Sequence, residues 1–271
     1  MINKIHNIDC VEGMKKLPNE SIDLTVTSPP YDELRTYNGF SWNFEETAKQ
    51  LYRITKNGGV LVWVVNDQTR KYNETGTSFK QALYFQSIGF NLFDTMIWFK
   101  PNQFQFGSKI SYKQSFEYMF VFSKGKPKTI HLLNDIPSKC AGQSTTGVQK
   151  SKGGIERGYK REFIVPKTKK RDNVWAINVS SEKNGHPAAF PEKLVTDHIL
   201  SWSNEEDIVL DCFMGSGTTA ISCINNNRNY IGFELSKEYC GICEKRINDL
   251  RQKKEMLQNQ LSIYEGVYST E

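Results

Sequence analysis

No apolar run in the 271 residues approaches the roughly 18 needed to cross a bilayer, so a membrane-spanning role is not expected. The opening residues, Met1-Ile2-Asn3-Lys4-Ile5-His6, lack the apolar stretch of a secretory signal. Six cysteines, at 10, 140, 212, 223, 240 and 243, are too sparse for a disulfide framework, and the cytoplasm is the expected compartment. Cys240-Gly-Ile-Cys243 has metal-ligand spacing but no second pair follows it. It lies in a helical pattern where both thiols serve as small apolar groups, so no metal is assigned. No internal repeat is present. Nor is the Pro-Cys dipeptide that a covalent cytosine-C5 mechanism would need.

Charge is unevenly spread. Thirteen Lys and Arg against three acids fall between Lys124 and Arg171, on a chain whose net charge is only +5. This excess of ten leaves the rest of the chain mildly acidic. Such a segregated basic stretch reads as a footprint for a polyanion, against the alternative of a solvated loop.

Strand-like and helix-like segments alternate elsewhere. Strands are expected at 22–27, 60–65, 92–99, 116–122, 207–211 and 229–234. Helices are expected at 45–55, 77–88, 191–203, 218–225 and 237–261. Val60-Leu-Val-Trp-Val-Val65 is apolar throughout, as a strand covered on both faces should be. The alternation implies an α/β fold with a mostly parallel sheet and crossover helices. Periodicity fails from Lys124 to Asp172, which reads as an inserted, substrate-facing segment.

Two motifs carry chemistry. Thr27-Ser28-Pro29-Pro30-Tyr31 follows directly on the first of these strands. Paired prolines cannot donate to a ladder and fix φ, so the chain leaves the strand as a stiff corner. The corner offers a hydroxyl and a carbonyl as acceptors and a ring for stacking, which suits the exocyclic amino group of a nucleobase. A plain Pro-rich turn is the alternative.

The second motif is Asp211-Cys-Phe213-Met-Gly215-Ser216-Gly217-Thr218-Thr219-Ala220, between a strand and a helix. Its glycines permit a sharp turn and close approach of a ligand. Glu234, ending the next strand, can accept from ribose hydroxyls. Gly-x-Gly-x-x-Ala also fits a dinucleotide fingerprint. Against it, Asp211 puts a carboxylate where a pyrophosphate would come and better suits a cofactor with a cationic amino-acid end. Moreover, only 37 residues follow Glu234, too few for the remaining strands of a dinucleotide fold. The sheet must then borrow N-terminal strands, which brings the Pro-Pro corner beside the glycine loop. A purely structural strand–turn–helix is the remaining alternative.

These residues resemble the amino-group DNA methyltransferases that use S-adenosylmethionine, in the permuted β-class order with the catalytic motif first. The resemblance covers nearly the whole chain. It implies a Rossmann-like methyltransferase sheet with helices on both faces, formed by 1–101 and 173–271, with a target-recognition region inserted at 102–172. Ser28, Pro29, Pro30 and Tyr31 resemble the catalytic motif, and Asp211, Phe213, Gly215, Ser216, Gly217, Thr218 and Thr219 the cofactor loop. The loop departs from the family only at Cys212, where proline is usual. Gly185-His-Pro-Ala-Ala-Phe-Pro-Glu-Lys193-Leu194 is similar to the segment leading into a helix that helps hold the cofactor, which places Lys193 there. Asp9 falls where relatives carry an acid contacting the cofactor adenine, and Glu234 belongs to the same set. Trp98-Phe-Lys-Pro101, Phe116–Lys124 and Asn173-Val-Trp175 resemble later family motifs.

The implied reaction is site-specific methyl transfer to double-stranded DNA, with the target base flipped out of the duplex. It fits a restriction–modification role and leaves open a homodimer and a cognate restriction endonuclease. Relatives with Ser before Pro-Pro-Tyr tend to modify cytosine N4, and those with Asp adenine N6, so Ser28 favours cytosine N4. Readings from other classes are an NAD-binding oxidoreductase, a protein or RNA amino methyltransferase, which usually has Asn in place of Ser28, and an inactive DNA-binding module.

Overall fold

The computed structural model describes residues 1–30, 42–103, 112–148, 160–179 and 191–268. Tyr31 and residues 185–190 of the cofactor-helix segment lie outside the described residues, as do 104–111 and 149–159 of the expected recognition region.

Eight strands form the main sheet: β1 (Lys4–Asn7), β2 (Ile22–Thr27), β3 (Thr55–Val65), β4 (Asn91–Phe99), β5 (Phe116–Ser123), β6 (Val174–Ala176), β7 (Ile208–Asp211) and β8 (Asn229–Glu234). Their spatial order is β1-β8-β7-β2-β3-β5-β4-β6. All neighbours pair in parallel except β5, which runs against both β3 and β4. The mostly parallel α/β architecture expected from the alternation is therefore what forms, with one reversed strand.

Six helices accompany the sheet among the described residues: α1 (Cys10–Lys15), α2 (Phe44–Ile54), α3 (Thr77–Ser87), α4 (Glu192–Trp202), α5 (Thr218–Asn225) and α6 (Lys237–Tyr268). Side chains alternate along β3. Leu61, Trp63 and Val65 join Met14, Leu51, Phe85 and Phe122 in a core under α1, α2 and α3. On the opposite face, His198 of α4 meets Met119 Sδ at 3.3 Å. With Val60–Val65 of β3 buried on both faces, the unbroken apolar run there is explained. The Trp63 indole N–H, buried in that core, donates to Gln81 of α3 at 2.8 Å, which satisfies its single donor.

The described chain divides into two compact units, Met1–His131 with Val174–Glu271, and Leu132–Asn173. The second unit is smaller than the 102–172 stretch expected to be inserted. Phe116–Ser123 belongs to the main sheet, because Met119, Val121 and Phe122 are fully buried there between β3 and β4. The small unit consists of antiparallel ribbons, Ser144–Val148 with Lys160–Ile164 and Ile136–Pro137 with Thr168–Lys169. An Arg171–Asp135 ion pair lies within it, while Lys139, Lys167, Lys169 and Lys170 face solvent.

Three elements of this layout escaped the sequence pattern: β6, a three-residue edge strand on β4, and β1 and α1. β1 and α1 are short and only partly apolar; β1 survives as an edge strand by pairing with β8, and Asp9 caps α1 by accepting from Val11 N at 2.9 Å and Glu12 N at 3.2 Å. No helix of the described residues is long and apolar enough to cross a membrane.

Lys100 and Glu117 form a buried ion pair where β4 ends and β5 begins, with the Lys100 ammonium 4.5 Å from the Trp98 ring centroid. Removing one member of such a pair strands a charge in the interior. Glu117→Ala should therefore lose about 3–5 kcal/mol in chemical denaturation. The double variant Lys100→Met/Glu117→Leu should recover most of that loss.

Candidate active site

The sheet order contains a topological switch. From β2 the chain moves through α2 to β3 on one side, and from β7 it moves through α5 to β8 on the other. Ligands of open α/β sheets bind in the crevice at the carboxyl ends of two such strands. The loops leaving these strands are Ser28-Pro29-Pro30 and Cys212–Gly217. The corner and the glycine loop, 184 residues apart in sequence, are thus neighbours.

One side chain joins them. The Thr27 hydroxyl donates to Asp211 Oδ1 at 2.7 Å, in a fully buried contact. The Thr219 hydroxyl donates to Asp211 Oδ2 at 2.6 Å, and Phe213 N donates to Oδ1 at 3.1 Å. The carboxylate therefore ties the end of β2, its own loop and the start of α5. Burial pushes the Asp211 carboxyl up to about 6, with Thr219, Thr27 and the Phe213 amide opposing the rise and Glu234 adding to it. Among the described residues no cation pairs with it.

Glu234 ends β8 and holds the other side of the loop. It accepts from Gly215 N at 2.8 Å through one oxygen and from Ser236 N at 2.8 Å through the other. Arg246 of α6, which the sequence reading did not select, donates to the Ser216 carbonyl at 2.6 Å and to its hydroxyl at 3.3 Å. No local signal marks Arg246, since it is one basic residue among many on a charged helix. The half-buried Phe213 ring packs edge-on against Trp42, with centroids 5.2 Å apart. Gly217 enters α5 at φ +85°, and a Cβ there would lie 2.0 Å from Cys243 Sγ. Backbone conformation and space both demand glycine. Cys243 and Cys240 are buried against this loop and the end of β8, and their thiols are pushed up by burial to about 12 and about 11.

Of the expected residues, the structure gathers Ser28, Pro29, Pro30, Asp211, Phe213, Gly215, Ser216, Gly217, Thr218, Thr219 and Glu234 at one edge of the sheet. Asp9 stands at that edge too, because β1 pairs in parallel with β8 and Asn7 lies level with Glu234. Lys193 is placed less directly. It is exposed on the first turn of α4 and reaches Asp197 at 3.0 Å within its own helix.

The chain matches the family model described as DNA methylase over residues 22–245. It belongs to that family. The enzyme is thus an amino-directed DNA methyltransferase of the N4/N6 type, and S-adenosylmethionine is the family's methyl donor. It is 54% identical over 238 residues to the orphan methyltransferase M.BamHII of Bacillus amyloliquefaciens, spanning 84% of this chain and 89% of that one. It is 30% identical over 258 residues to the type II methyltransferase M.BglII of Bacillus subtilis, spanning 89% and 68%. Among solved structures it resembles PvuII DNA methyltransferase, titled cytosine-N4-specific, with TM-score 0.65, 22% identity and coverage of 92% and 91%. It also resembles the M1.HpyAVI–SAM complex, with TM-score 0.58, 24% identity and coverage of 90% and 98%. At these identities the two structures speak to the fold alone. Family membership sets aside the oxidoreductase reading.

Two outcomes follow from the loop geometry. The fold binds the Asp211 proton more tightly than the unfolded chain, whose ordinary carboxyl titrates near 4. The charged form therefore costs stability, a cost absent well below pH 4 and complete above about pH 6. Between pH 4 and 7 the stability of Asp211→Asn relative to the native enzyme should rise by roughly 2 kcal/mol, read from urea midpoints. Gly217→Ala should lower Tm sharply, and adding Cys243→Ala should recover part of the loss by removing the sulfur, with the Cβ of residue 243 still 3.1 Å away and about 1 kcal/mol of backbone strain remaining.

Proposed function

We propose that the enzyme transfers a methyl group from S-adenosylmethionine to the exocyclic N4 of cytosine in double-stranded DNA. The observation that carries this reading is the Thr27–Asp211 hydrogen bond, which sets the corner that presents Ser28 beside the loop suited to the cofactor. The residues fit that cofactor chemically. A buried carboxylate with no described cation partner suits the cationic amino-acid end, and Glu234 at the end of β8 suits the ribose. Its two hydrogen bonds to Gly215 and Ser236 leave lone pairs for ribose hydroxyls. Asp9, at the end of β1, is proposed to meet the adenine, with Lys193 an outer member of the same site.

When bound, the cofactor supplies an electrophilic methyl carbon on a sulfonium. Ser28 Oγ and the Pro29 carbonyl accept hydrogen bonds from the target amino group and turn its lone pair toward that carbon. Pro29 and Pro30 keep the two acceptors rigid, so their alignment is fixed before substrate arrives. Well-aligned reactants can remove about 7–11 kcal/mol of a barrier, and no covalent enzyme intermediate is required. Tyr31 is proposed to stack on the target base. The base reaches the corner only after flipping out of the duplex, at a cost of a few kcal/mol. The exposed lysines of the 132–173 unit are proposed to meet phosphates, which makes binding fall steeply with salt.

Serine before the paired prolines supports cytosine N4 over adenine N6. The type II names of several relatives support a restriction–modification setting, whereas the 54% identical relative is named an orphan. Mass spectrometry of nucleosides from duplex DNA treated with enzyme and S-adenosylmethionine should show N4-methylcytosine. N6-methyladenine in its place would overturn the base assignment and leave the amino-methyltransferase reading standing. Tyr31→Ala should cut transfer by about tenfold or more while cofactor affinity stays near native. Equal loss of both would remove Tyr31 from the stacking role.

A further inference from the structure

Immediately beyond β3 the chain makes a feature that the site described above does not use. Thr69–Arg70 pairs with Asn73–Glu74 in a minimal antiparallel hairpin, with Lys71 and Tyr72 as its two-residue loop. Both loop residues have positive φ, +46° and +66°. A two-residue hairpin loop of that hand selects Asn-Gly or Asp-Gly, so Lys-Tyr is a costly choice. Each such residue is strained, and strain of this kind gathers where function holds it in place.

The root of the hairpin is firmly anchored. Asp67 is buried and accepts from Ser78 N at 2.9 Å, from the Ser78 hydroxyl, and from the Thr75 hydroxyl at 3.3 Å. Thr75 N closes the base by donating to Gln68 O at 2.9 Å. The tip, by contrast, reaches into water. Lys71 is exposed, and Tyr72 is 87% exposed, an unusual position for a large ring on a strained turn.

Position completes the observation. β3 pairs in parallel with β2, with Trp63 level with Thr27, so the hairpin leaves the same edge of the sheet as the Ser28-Pro29-Pro30 corner. Gln114 donates to Asn66 Oδ1 at 3.3 Å and to Asp67 O at 3.4 Å, which brings the exposed Tyr112 and Lys113 to the hairpin's root. Phe79, about half exposed, adds a ring on the adjoining turn of α3. Basic and aromatic groups therefore alternate along this edge, with Glu74 at the root as the opposing exposed charge. Interleaved cations and rings are the surface that suits phosphates and unstacked bases.

We propose that the 69–74 hairpin is a finger that meets the duplex. Lys71 neutralises a phosphate, and Tyr72 stacks on a base next to the one taken out of the helix. The inference rests on the reading of duplex DNA as substrate. The rigid root lets the ring be held ready, and the strained turn is what keeps it pointing outward.

The test compares native enzyme with Tyr72→Ala, Tyr72→Phe, Tyr72→Gly and Lys71→Ala. It measures Tm, affinity for an unmethylated plasmid pool by filter binding, and the initial rate of methyl transfer at subsaturating DNA. Tyr72→Ala should lower affinity and rate by about tenfold to a hundredfold with Tm near native, and Tyr72→Phe should restore both. Tyr72→Gly should raise Tm, since glycine is at ease at this φ, while DNA affinity falls as for Tyr72→Ala. Lys71→Ala should reduce the slope of log affinity against log salt by about one. If native enzyme methylates DNA and the Tyr72 variants match it, the finger is overturned and the substrate reading stands. If native enzyme neither binds nor methylates duplex DNA, both fall.

Discussion

The parallel pairing of β2 with β7 brings the beginning of this chain to its end, and the buried hydrogen bond from the Thr27 hydroxyl to Asp211 fixes the two loops that leave those strands. Everything at the site depends on it. The contact lies where neighbouring parallel strands send their connections in opposite directions, so the loops part and leave a crevice. One carboxylate accepts from the strand end, the loop amide and the first turn of α5 at once. It thereby sets where the corner stands relative to the loop, and a methyl transfer is sensitive to that separation. The cost is a desolvated charge, visible in the raised titration of Asp211.

The loop around this carboxylate is fixed from three sides. Glu234 takes the Gly215 amide, Arg246 takes the Ser216 carbonyl, and Cys243 fills the space that a side chain at position 217 would need. Two of these three come from α6, the last helix of the chain. The helix is thus more than a solvated tail, despite its charge. The Cys-x-x-Cys spacing, which could be mistaken for a metal site, is explained by packing against the loop.

Much of this was legible in the sequence because the strands that carry the site run directly into the motif residues at their carboxyl ends. Ile22–Thr27, Ile208–Asp211 and Asn229–Glu234 stand within a residue of where the pattern put them. Their adjacency followed from counting, since too little chain remains after Glu234 to finish a sheet without N-terminal strands. What the sequence hid was of two kinds. Short elements such as β1 and α1 owe their existence to a partner strand and a cap, and neither leaves a periodic trace. Partnerships such as Arg246 with Ser216 or Asp67 with Ser78 join residues whose types are common and whose spacing carries no period. The basic stretch from Lys124 to Arg171 falls largely on the compact unit Leu132–Asn173, whose short ribbons leave no sustained period to read in the sequence.

The place of β2 in the sheet also bears on how the molecule is made. Its one edge pairs with β3, which is synthesised soon after it, but its other edge waits for β7, nearly two hundred residues later. A nascent or truncated chain that ends before Ile208 leaves that edge of β2 without its partner and lacks the Asp211 acceptor of all three hydrogen bonds at the site. Such an edge invites pairing with other chains. Late synthesis of β7 therefore closes a sticky border and completes the crevice between the two loops in the same event, which makes the interval before it the one most exposed to aggregation.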